Sequence, residues 1–116
     1  MKKVILNILK DFTLTPGPRF RQEGPFSGEE FREEYLVPKF EEARRDKTKL
    51  LIDLDGPAGY ATSFLEESFG GLARVYSSEE VLETLEFKSE DDVYLKDDII
   101  SYIKEANDNE MAKSRH

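Results

Sequence analysis

Apolar residues in this chain fall into short segments whose spacing alternates between that of a strand and that of a helix. Leu50, Leu51, Ile52 and Leu54 form a nearly continuous apolar run, the pattern of a strand covered on both faces, as in parallel sheets flanked by helices. Lys49 to Leu54 is read as the central strand. Asp55, Gly56, Pro57 and Gly59 end it, because Gly tolerates positive φ and Pro blocks both ladder pairing and continued regular structure. Beyond this turn Phe64, Leu65, Ser68, Phe69 and Leu72 recur at helical spacing, and Ser63 with Glu66 has the form of a capping box. A short helix is expected from about Ser63, weakened at its end by Gly70 and Gly71.

The same signals place the other elements. Lys3 to Leu9 reads as a strand. Breaks at Thr15 to Pro18 and at Gly24 and Pro25 leave 20–22 as a hairpin arm or part of an irregular loop. Ser27 with Glu30 is a second capping box, flanked by Phe26 and Phe31 at the hydrophobic-staple positions. The helix it opens carries Phe31, Tyr35, Leu36, Phe40 and Ala43 on one side. Pro38 lacks an N–H and should kink it, and Arg44, Arg45 and Lys47 suit its negative end. Ser77 with Glu80 opens a further helix through Val81 and Leu82 toward Leu85, and Glu86 to Lys88 reads as a short strand. Asp91 and Asp92 favour one more helix start, ahead of the stripe Leu95, Ile99, Tyr102, Ile103 and Ala106. The expected fold is α/β: a small single-domain sheet over residues 1–106 with helices packed against it and right-handed crossovers, followed by a disordered tail at 107–116.

Composition narrows the chemistry. The chain has 116 residues and a formal net charge of −8, so a general nucleic-acid binder, which needs a basic face, is not expected. The first 22 residues run against this balance, with Lys2, Lys3, Lys10, Arg19 and Arg21 opposed by Asp11 alone, as an edge strand protected by cations would. There is no Cys, and the single His116 lies in the tail. Thiol catalysis, zinc thiolate sites and His-based acid–base chemistry within the fold are thereby excluded. Asn7, Lys10 and Asp11 cut short the apolar start, and no run approaches the ~20 residues of a spanning helix. A cytoplasmic protein with no membrane segment and no cofactor is expected.

The segment GPAGYATSFLEESFGGL after LLIDLD, with GPRFRQEGPFSGEEF upstream, resembles the STAS-like domain of unknown function family, whose relatives include anti-sigma-factor antagonists. The likeness runs from about Gly17 to Ala106. In the antagonists a strand leads into an Asp-Ser-Ser-Gly-Leu motif whose first Ser is phosphorylated by a partner kinase. Here Ala61 stands at the Asp, Thr62 at the phosphorylated position, Ser63 at the second Ser and Phe64 at the Gly. The resemblance implies a non-enzymatic regulatory domain that binds a protein, for which a kinase-like ATPase is the implied class. Its binding and switch residues would be Thr62, Ser63, Gly59, Tyr60, Phe64 and Asp55, at a strand-to-helix corner on the positive end of a helix dipole.

Two alternatives stay open at this point. Asp53, Leu54, Asp55 and Gly56 resemble the first motif of haloacid-dehalogenase-type phosphatases, which implies a small Mg²⁺-dependent phosphoryl-transfer enzyme using Asp53 and Asp55. Pro57 stands where that motif normally has Thr or Val. The other is a structural, self-associating module with no switch.

Overall fold

The computed structural model describes the backbone of residues 3–114 and the side chains of 3–106. Three strands, β1 (Val4–Asn7), β2 (Leu50–Asp53) and β3 (Leu85–Lys88), form one parallel sheet in the order β1-β2-β3. The register aligns Ile5, Leu51 and Glu86 in one row and Asn7, Asp53 and Lys88 at the carboxyl edge. Between β1 and β2 runs α1 (28–45), built from consecutive segments Gly28–Phe31, Arg32–Leu36 and Val37–Arg45. Between β2 and β3 lie α2 (62–75) and α3 (Ser78–Thr84), and α4 (Leu95–Ser114) follows β3. The side chains of the expected tail lie outside the described residues.

The anticipated central strand is the middle one, but among the described residues it is covered on one face only. Val4, Leu6, Leu50, Ile52 and Leu85 turn into the helix-covered core, whereas Ile5 on the opposite face is 57% exposed and Leu51 half-buried. Lys3, just before β1, and Glu86 of β3 form a 2.6 Å ion pair on that side, across β2. An apolar run shows that a strand is buried without showing by what.

β1 is shorter than the apolar run Ile8–Leu9 suggested. Asn7 Oδ1 accepts the Lys10 N–H at 2.9 Å while Asp11 Oδ2 accepts the Asn7 N–H at 2.8 Å. This reciprocal pair turns Ile8–Phe12 into a single wide helical turn. Residues 13–26 are irregular, with a short turn at Arg21–Glu23 and no hairpin partner among the described residues.

Ser27 and Ser77 cap as their spacing predicts, accepting the N–H groups of Glu30 at 3.0 Å and Glu80 at 3.1 Å. The carbonyls of Pro18 and Arg19 take the N–H groups of Gly28 and Glu29, so the irregular segment completes the start of α1. The staple residues Phe26 and Phe31 meet through Phe12, whose ring lies 5.6 and 5.1 Å from theirs. Pro38 is accommodated by a wide turn in which the Val37 N–H reaches Arg32 O, the adjustment expected where a helical rung is lost. Leu85 starts β3 rather than ending α3.

Gly70 and Gly71 do not weaken α2. Both are buried inside it, and the helix continues to Val75. At Gly71 the lack of a Cβ serves packing instead, since a Cβ there would stand 2.7 Å from the Arg32 guanidinium. Gly28 plays the same part where α1 crosses α2, with room for a Cβ closed by Phe64 O at 2.7 Å.

Candidate functional site

The strand-to-helix corner after β2 is organised by carboxylates. Asp53 Oδ1 accepts the Asp55 N–H at 3.1 Å, and its Oδ2 lies 3.3 Å from Asn7 Nδ2. Asp55 is more than a local turn residue: its Oδ1 accepts the N–H groups of Glu90 and Asp91 at 2.8 and 2.9 Å. Asp91 answers by accepting the Gly56 N–H at 3.0 Å. The loops after β2 and β3 are therefore latched to each other. Lys88 stands 3.7 Å from Asp53, 3.5 Å from Asp55 and 3.6 Å from Glu90. The backbone bonds from Asp91 and Glu90, with Lys88, hold the Asp55 carboxyl below its ordinary value against the opposing effect of burial.

Past this latch the chain becomes exposed at Ala58, Gly59, Ala61 and Thr62. Gly59 has open space around it. Tyr60 pins the loop, donating to Leu54 O at 2.8 Å and packing its ring 6.1 Å from Phe64. Burial, with Asp53, Asp55 and Asp91 nearby, raises its hydroxyl pKa above the ordinary tyrosine value. Phe64 is fully buried. It supports the corner from inside, with the rings of Phe31 and Phe12 at 5.7 and 6.3 Å, and presents no surface to a partner.

The expected Ser63 cap is not made. Ala61 occupies the cap position with no side-chain bond, Thr62 is the first helical residue, and the first helical rung is Leu65 N–H to Ala61 O. Thr62 is exposed, and neither its hydroxyl nor that of Ser63 has a hydrogen-bond partner among the described residues. The site thus presents an unengaged hydroxyl and an uncapped helix start, where negative charge is favoured.

Glu66 is drawn away from that cap by arginines. Its carboxylate meets Arg19 at 2.5 Å and Arg74 at 2.6 Å. Glu67, at 10% side-chain exposure, pairs with Arg32, whose guanidinium also donates to the Glu67 carbonyl at 3.1 Å. Arg19 and Arg74 converge on one carboxylate, whereas Arg21 goes elsewhere, to Glu33 and Glu34. Residues spaced 47 positions apart in sequence, such as Arg19 and Glu66, carry no local signal of their meeting. Among the described residues no cluster of three or more His, Cys, Asp or Glu has the arrangement of a metal site, and no helix is long and apolar enough to cross a membrane.

No curated protein and no solved structure matches the chain. A family model does match, over residues 27–95, from the cap of α1 through the corner to the start of α4 and over more than half of the chain. The protein therefore belongs to the STAS-like domain of unknown function family.

Proposed function

We propose that this domain is a non-enzymatic regulatory module of the cytoplasm that binds another protein through the corner at 56–65, and that a negative charge added at Thr62 switches the binding. The observation that carries this reading is the Thr62 hydroxyl: exposed, free of hydrogen bonds among the described residues, and on the first turn of a helix whose cap position is Ala61. A phosphate there adds about two negative charges at the positive end of the helix, without breaking any bond that holds the fold. A kinase-like ATPase is the partner class suggested by the likeness to anti-sigma-factor antagonists. Asp53 and Asp55 are engaged in closing loops, so the geometry gives no support to a phosphoryl-transfer role for them.

The test is capture of proteins from source-cell lysate with the wild type and Thr62→Glu, quantified by mass spectrometry and paired with melting curves. A partner retained by one form and lost by the other, at similar melting temperatures, supports the switch. Identical partner lists, or a large loss of stability in Thr62→Glu, would count against it.

A further inference from the structure

At the opposite end of the sheet from the corner, where β1 and β2 begin, a cavity of about 590 Å³ opens between the ends of α1 and α3. Lys3, Arg44, Lys47 and Lys49 line it together with the hydroxyl residues Thr48 and Thr84, and Glu83 is the carboxylate on its wall. A concentration of cations in a chain of net charge −8 needs a cause.

Two ordinary causes account for only part of it. Helices end here, and each C-terminus carries about half a negative charge that cations offset. Arg44 is engaged with Thr84 Oγ1 at 3.1 Å and with Glu83 at 3.5 Å, and Lys49 donates to the Glu83 carbonyl. Lys3 is paired with Glu86 outside the cavity. Arg44, Lys47 and Lys49 then stand against Glu83 and two helix ends, which leaves an excess of about one positive charge. Lys47 makes no ion pair among the described residues.

The backbone at Lys47 points the same way. The Lys47 N–H bonds to Arg44 O and the Thr48 N–H to Ala43 O, the two bonds of a Schellman ending of α1, with Lys47 at φ 55°. Glycine is the usual occupant of that left-handed position. Lys47, which lines the cavity, is held there against conformational preference, and strain of this kind collects at functional sites.

We infer that this cavity binds a small hydrophilic phosphate, either the free ion or a phosphate monoester. Cations and hydroxyls are the groups that recognise such oxygens. Among the described residues Ala43 is the apolar lining residue and no aromatic ring lines the wall, so these residues offer neither a stacking surface for a nucleobase nor an aromatic anchor for a protein.

The test is an amide-resolved NMR titration of the full chain with sodium phosphate and, separately, with a sugar phosphate, at constant ionic strength made up with chloride. Saturable shifts at 43–49 and 83–84, half-complete at or below about 1 mM, are expected with one or both. Tighter binding of the ester identifies an organic phosphate, and equal or weaker binding identifies the free ion. Lys47→Gly should weaken binding about tenfold or more while the melting temperature holds or rises, and Lys47→Arg should keep it. Shifts that do not saturate, that spread equally to surface lysines such as Lys39 and Lys104, or that survive unchanged in Lys47→Gly would overturn the assignment.

Discussion

Glu66 and Arg74 close a 2.6 Å ion pair beside Gly70, the residue midway between them on one ridge of α2. A Cβ on Gly70 would approach the Glu66 carboxylate to 2.5 Å, whereas one on Gly28 would approach the backbone oxygen of Phe64 to 2.7 Å. The first obstacle is the far end of a side chain and can swing aside; the second is fixed where α1 crosses α2. Gly28→Ala is therefore expected to cost about 1–3 kcal/mol by overpacking. In Gly70→Ala the roughly 1 kcal/mol gain in helix propensity should offset most of the disturbance. Chemical denaturation of both variants checks the contrast, and equal losses would show that both sites are equally rigid.

The three serines with Glu three positions later separate into two kinds. Ser27→Ala and Ser77→Ala each remove an observed cap and should cost about 1 kcal/mol apiece. Ser63→Ala removes none and should stay within about 0.5 kcal/mol of the wild type. Ala61→Asp supplies the missing cap of α2 and is expected to stabilise by about 0.5–2 kcal/mol. Urea unfolding midpoints of the four variants decide each case.

Acid should loosen the arginine cluster. Burial alone would raise the Glu66 carboxyl, but the hydrogen bonds from Arg74 and Arg19 overcome it and leave the pKa below the ordinary value of 4.5. A folded-state pKa lower than the unfolded one contributes stability that is present above the unfolded value and is lost as pH falls through the folded one. Stability measured from pH 6 downward should therefore fall less steeply below the ordinary Glu range in Glu66→Gln than in the wild type. An identical acid limb would mean that Glu66 titrates alike in both states.

Asp55 joins the loops after β2 and β3. Asp55→Ala removes the acceptor for two backbone N–H groups and should destabilise by about 1–3 kcal/mol. Hydrogen exchange of the Glu90 and Asp91 amides should rise with it, while the amides of β2 stay protected. Unchanged exchange at those two amides would contradict the latch.

Local chemistry in the chain decided where α1 and α3 begin and which strand is central. A Ser and the N–H three residues on lie within one turn of each other, so Ser27 and Ser77 cap as soon as their helices form, and Gly56 with Pro57 ends β2 whatever surrounds it. The Leu50 to Leu54 run marked a buried strand for the same reason. Tertiary structure decided what depends on distant partners. Arg19 and Arg74 draw Glu66 from the cap that its spacing offered, whereas Asn7 and Asp11, four positions apart, fold the end of the apolar run away from β1 by a local bond that the strand reading passed over. Arg32 turns Gly71, which read as weakening its helix, into a contact point. The hydroxyls of Thr62 and Ser63 were both visible in the chain, but their freedom from bonds followed only from where α2 starts, which is set by packing of Phe64 and Leu65 into the core. Spacing along a chain reports on neighbours within a helical turn; it carries no term for the competing partner that arrives from elsewhere in the fold.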